Sequence, residues 1–153
     1  MKSNIKVLSP EDLMPPFLEL LEETDAVPLV ISGDSMSPFL MHGRDTVYLS
    51  KVCRPLTRGD MILYRRDSGQ YVLHRIYRAD QDSYILIGDA QTIQEPNIRQ
   101  DQVLALVCAV RRKGKFLQPG SFRWEFFRRV WIRVVPLRPR IMGIHARITR
   151  LFQ

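Results

Sequence analysis

Between residues 27 and 110 the apolar runs are short, the longest being the eight residues of 103–110, and turn-forming residues separate them. Runs of this length that alternate or stay apolar build strands, because strand side chains repeat every two residues and Gly, Asp and Pro supply the reversals. Six strands are predicted, over 27–31, 46–50, 61–65, 70–77, 83–87 and 103–110. Turns fall at His42-Gly43-Arg44-Asp45, at 55–60 and at Asp67-Ser68-Gly69-Gln70. The shorter connections predict a meander, and the whole predicts a mainly β domain, coiled or partly closed on itself.

Ahead of the strands, Ser9-Pro10-Glu11-Asp12 has a helix-start signature of hydroxyl cap, proline and acids in the first turn. Pro15-Pro16 interrupts it, so the helix is expected over 15–24, with Phe17, Leu18, Leu20 and Leu21 as its apolar stripe. The expected organisation is a helical segment over 1–27, a β domain over 28–115 and a basic helical tail over 116–153.

Charge divides the chain in two. Residues 1–110 carry 11 Lys/Arg and 15 Asp/Glu; residues 111–153 carry 12 Lys/Arg and one acid, Glu125. An acidic body with a basic tail points to an anionic partner for the tail. At 100° per residue Phe127, Val130, Trp131 and Val134 share a face, with Arg128 and Arg129 at its edges. Pro136 and Pro139 end that helix, and 141–152 makes a second basic amphipathic piece. Two readings stand for residues 119–153: a helix in an anionic membrane interface, or one packed on the β body with its arginines in solvent. Nucleic acid is the weakest of the partners considered. No apolar run approaches the roughly 20 residues of a spanning helix, and the N-terminus lacks the apolar core of a secretory signal. Cys53 and Cys108 are too few for a disulfide framework or a metal cluster. A reduced cytoplasmic protein, peripheral on the inner membrane face if the tail binds lipid, is expected, with no metal and no cofactor.

Three stretches carry chemistry. In Ile31-Ser32-Gly33-Asp34-Ser35-Met36-Ser37-Pro38-Phe39-Leu40 a strand ends at a glycine turn, and Pro38 stiffens the exit, which presents the Ser35 hydroxyl. On the strand 70–77, Val72, His74 and Ile76 share one face, so His74 lies between apolar neighbours that favour the neutral imidazole a general base requires. An acid near His74 would hold its tautomer. Chain order leaves Asp89, Glu95 and Asp101 open for that place. His42 and His145 carry no assignment.

Ser32-Gly33-Asp34-Ser35-Met36-Ser37-Pro38, Arg58-Gly59-Asp60-Met61-Ile62-Leu63-Tyr64, Val72-Leu73-His74-Arg75-Ile76 and Gly88-Asp89 occur in that order. Over roughly 28–112 the chain thereby resembles type I signal peptidases and, more widely, the S24/S26-type serine peptidases that include the LexA-type repressor autoproteases. The resemblance implies a coiled β fold, Ser35 as nucleophile and His74 as base, as in the serine–histidine branch where other members have lysine. It implies an acid in the box opened by Gly88-Asp89. The branch places its aspartate some residues further on, where Glu95 stands, so Glu95 or Asp89 is the expected histidine partner. Some lysine-type members carry a hydroxyl two residues before the nucleophile; Gly33 stands there, leaving the oxyanion to backbone N–H groups such as that of Ser35. Gly33, Met36 and Pro38 are the expected substrate contacts. The stretch before the serine box suits neither a spanning helix nor a helix-turn-helix domain, so a stand-alone endopeptidase cleaving extended leader or signal-like peptides is expected. A non-catalytic peptide- or membrane-binding module on the same fold is the alternative.

Overall fold

A computed structural model describes residues 10–151. Helix α1 (Pro10–Glu23) precedes β1 (Val27–Val30), β2 (Thr46–Ser50), β3 (Met61–Arg65), β4 (Tyr71–Ala79), β5 (Ser83–Ile87), β6 (Glu95–Arg99), β7 (Val103–Arg112) and β8 (Lys115–Leu117). A short helix α2 (Phe122–Glu125) runs on through a π turn and two 3₁₀ turns into α3 (Arg138–Leu151). The strands form one antiparallel sheet in the order β1-β2-β7-β3-β4-β5-β6, with β8 paired to β7. The β3-to-β6 meander is local, whereas β7 returns to lie between β2 and β3.

The sheet buries apolar side chains on both faces, and β3 shows why it must coil. Met61 and Leu63 enter one core with Phe39, Leu40, Val47 and Val107; Ile62 and Tyr64 enter a second with Ile76, Leu86 and Ile98. Alternate residues of one strand thus serve opposite cores, and a flat sheet covered on one side would leave one set in water.

Three elements differ from expectation. α1 begins by Pro10 and runs through Pro15 and Pro16 rather than starting at them; Ser9, the expected cap, lies outside the described residues. Met14, Phe17 and Leu21, one face at i, i+3 and i+7, are buried on the body, while Leu20 is exposed. Burying such a side chain contributes about 1.5–3 kcal/mol. Three of them together offset the cost of two interior prolines, about 3 kcal/mol each. β6 was not expected, because Glu95-Pro96-Asn97-Ile98-Arg99 has a proline and no clean alternation; as the sheet's edge strand it tolerates both. β8 follows from the two-residue turn Lys113-Gly114, both at positive φ, the geometry that matches strand twist.

The tail's first part packs on the body. Trp124, Phe127, Trp131, Ile132 and Val135 are buried, and Phe127 lies on Phe39 with ring centroids 4.7 Å apart. Of the face expected from a regular helix, Phe127 and Trp131 hold while Val130 is exposed, because the π turn Phe126–Val130 shifts the stripe. A Cβ on Gly59 would lie 2.5 Å from Arg128 Cγ and 2.7 Å from its carbonyl oxygen. That close approach is the reason glycine occupies the turn before β3. Of the two readings left open for the tail, residues 121–135 follow the packed one, with Trp124, Phe127 and Trp131 covered by the body.

Candidate active site

The hairpin joining β3 to β4 sets the first geometry. Arg66 N–H donates to Gln70 O at 2.8 Å, and the register pairs Arg65 with Tyr71, Tyr64 with Val72 and Ile62 with His74. Alternation then places Tyr64, Val72, His74 and Ile76 on one face. Tyr64 stands diagonal to His74, with its hydroxyl 3.2 Å from Nδ1. β6 pairs with β5 so that Glu95 opposes Leu86. Its carboxylate accepts a short hydrogen bond from the Tyr64 hydroxyl and lies 3.9 Å from His74 Nδ1. Arg66 closes the group, donating from Nε and Nη2 to the two Glu95 oxygens at 2.8 Å each.

Proton accounting fixes the imidazole tautomer. The Arg66 guanidinium and the Tyr64 hydroxyl hold the Glu95 carboxyl below the usual range, so it is ionised and only accepts. Burial and the Glu95 carboxylate push the Tyr64 phenol well above its ordinary value, so it keeps its single proton. That proton goes to Glu95, and the phenolic oxygen is left to accept from His74 Nδ1–H. Nε2 therefore carries the free lone pair. Burial lowers the His74 pKa to about 4, against the opposing pull of Glu95. The ring is neutral at pH 7, the state a general base requires.

Ser35 approaches from the other side. Beyond β1 the chain turns at Gly33, whose φ is +83° and whose N–H donates to His42 Nδ1 at 2.9 Å. The Ser35 carbonyl accepts from Ala90 N–H at 2.9 Å and rests on Gly88, where a Cβ would lie 2.5 Å from it. The glycine of the Gly88-Asp89 box thus sets the height of the serine loop. Gly88→Ala is expected to push Ser35 out of place and cost about 1–3 kcal/mol by overpacking. Denaturant unfolding together with the reactivity of Ser35 would check this; unchanged reactivity would exclude the contact as the determinant of Ser35 position.

Gly33, Ser35, Met36, His74 and Gln91 line one cleft of about 270 Å³. The nucleophile candidate and the base candidate therefore share a cavity, although no hydrogen bond joins them among the described residues. Such bonds tighten when substrate closes a site. Among the described residues neither Ser35 Oγ nor its N–H has a hydrogen-bond partner, so both are available to an incoming carbonyl. Pro38 is not among the lining residues; its carbonyl accepts from Arg112.

The acids separate cleanly. Glu95 joins the histidine group through Tyr64. Asp89 takes the Arg75 guanidinium at 2.8 Å on each oxygen, both side chains fully buried, and its backbone carbonyl accepts from Trp131 Nε1. Asp101 is on the surface and pairs with Arg99. Sequence reasoning missed Tyr64 and Arg66. The signal was present: with a tight hairpin at 66–70, Tyr64 and His74 fall on the same face two positions out of register. A larger cleft of about 460 Å³ beside Pro55 and Tyr84 holds no serine, histidine or cysteine. Among the described residues no cluster of three or more His, Cys, Asp or Glu could hold a metal ion.

The family model Peptidase S24-like matches residues 7–110, which leaves β8 and everything after it outside the match. No curated protein and no solved structure matches the chain.

Proposed function

The chain belongs to the S24-like peptidase family, and from that premise we propose that it is a serine endopeptidase working through Ser35 and His74. The observation that carries this reading is the shared cleft, in which the imidazole is neutral, tied at Nδ1 and free at Nε2. Ser35 Oγ adds to the scissile carbonyl while its proton passes to His74 Nε2. The imidazolium then protonates the leaving amine. Water, deprotonated by the same nitrogen, releases the acyl group from Ser35. The Ser35 N–H donates to the oxyanion; removing one such donor typically costs about 10²–10³ in rate. Tyr64 and Glu95 act behind the ring by keeping its tautomer and orientation, and the Arg75–Asp89 pair holds the two boxes together.

The substrate we propose is an extended peptide of leader or signal-like type. β4 pairs with β3 over Tyr71–Arg75 and with β5 from Arg75 onward. Among the described residues, then, no strand covers the second edge of 71–74, beside the cleft. A peptide laid there adds main-chain hydrogen bonds and points alternate side chains toward Gly33 and Met36. The resemblance to signal peptidases favours a small residue before the scissile bond.

A fluorophosphonate probe followed by peptide mapping tests the reading. Wild type is expected to carry the label on Ser35, and Ser35→Ala to lose both the label and cleavage of a peptide library. Equal behaviour of the two proteins on probe and library would leave a binding module without catalysis.

A further inference from the structure

The end of the chain presents a surface that neither the fold nor the cleft uses. In α3 the residues Ile141, Ile144, Ile148 and Leu151 are 42, 58, 49 and 81% exposed. At about 100° per residue they fall within roughly 80° of arc, a single stripe along the helix. Arg140 and Arg147 lie along one edge of it, and Arg150 further round; the helix contains no acid. Among its described residues, Arg138 and the half-buried Met142, which packs on the first core, tie it to the body. Arg138 is fully buried, its Nη1 donating to the carbonyls of Gly88 and Gln91 at 2.9 Å and its Nη2 to that of Trp131 at 3.1 Å.

We propose that α3 lies in the surface of an anionic phospholipid bilayer, apolar stripe down, and serves as the protein's anchor. Charge decides between occupants. A second copy seated on the stripe would bring the Arg140 and Arg147 edges together with no carboxylate on either helix to pair them. The stripe spans only two heptads, short of the three to four that mark a coiled coil. Phosphate headgroups supply the missing negative charge while the aliphatic stripe enters the acyl boundary, the arrangement basic amphipathic helices adopt. Among the described residues no helix is long and apolar enough to cross a membrane, so α3 lies on the bilayer. Its anchor residue Arg138 grips Gln91, a cleft-lining residue, and Gly88, on which Ser35 rests. The cleft is thereby held close to the bilayer surface, and its substrates are peptides at that surface; this last step rests on the peptidase reading, the lipid contact does not.

Co-sedimentation of the full chain tests the anchor, with phosphatidylcholine vesicles and vesicles in which a third of the lipid is phosphatidylglycerol. Binding is expected for the anionic vesicles and not for the neutral ones. Ile144→Asp with Ile148→Asp is expected to abolish it, and Arg140→Gln with Arg147→Gln to weaken it about fivefold per arginine. All four positions are solvent-exposed, and fluorophosphonate labelling of Ser35 in solution is expected to stay at the wild-type level, which separates failure of the anchor from failure of the peptidase. Absence of binding to anionic vesicles would overturn the proposal, as would unchanged binding by the double aspartate variant. A lipid-free dimer dissolved by the same aspartates would overturn it in favour of a second copy.

Discussion

His74→Gln is expected to lower kcat/KM on a cleaved peptide by about 10²–10⁴-fold, the usual worth of a positioned general base. Tyr64→Phe keeps the ring's surroundings but removes the acceptor for Nδ1–H, and an expected loss of about tenfold, mostly in kcat, corresponds to one hydrogen bond that orients the base. The pH dependence separates this from a structural role. With His74 lowered to about 4, kcat/KM is expected to hold down to pH 5 and fall on a limb near pH 4. A limb near the ordinary histidine value would mean that the base is solvated and outside this network. Stability carries the same signature. Between pH 6.5 and 4 the unfolded chain binds a proton at His74 that the folded chain refuses. Stability therefore falls as pH drops through that window, by about 3 kcal/mol in total. Denaturant midpoints of wild type and His74→Gln across the window would show the slope in the first and its loss in the second.

Arg75→Met is expected to destabilise the fold by about 3–5 kcal/mol, because it leaves the Asp89 carboxylate buried without a partner. At about 2–4 °C per kcal/mol for a domain of this size, Tm falls by roughly 6–20 °C. The lost guanidinium also releases the Gly59 carbonyl, to which Arg75 Nη1 donates at 2.8 Å, so the 58–60 turn loosens with the Gly88-Asp89 box. Arg75→Met combined with Asp89→Leu is expected to recover most of the loss, since an apolar pair of similar volume leaves no bare charge. Calorimetry of the three proteins would decide it. If Asp89→Asn removed activity while Tm stayed at the wild-type value, Asp89 and not the Tyr64–Glu95 group would have to be the histidine's partner.

These two pairs show how differently the sequence speaks about neighbouring acids. Asp89 sits in a box that resembles a peptidase motif, yet nothing local says that its carboxylate belongs to Arg75, 14 residues earlier and on the strand face opposite His74. Glu95 precedes a proline in a stretch without alternation, and reads as a turn until β5 supplies the strand on which it pairs. The tail shows the same limit. Its amphipathicity is legible and Phe127 and Trp131 face the body as a uniform helical period requires, but the π turn moves Val130 off that face, and that turn is invisible to such a period.

What the sequence determined alone is periodic or local. The six main strands follow from alternation bounded by turn residues. The common face of Val72, His74 and Ile76 follows from the two-residue period, and the placing of Ser35 on a loop from a glycine turn after a strand. The tertiary structure decided everything that depends on which strands become neighbours. β7 inserts between β2 and β3, Gly88 carries the Ser35 loop, and edge strand β6 brings Glu95 to Tyr64. A period is written in the chain; a register between distant strands depends on two buried faces being covered at once, and only the folded sheet provides that.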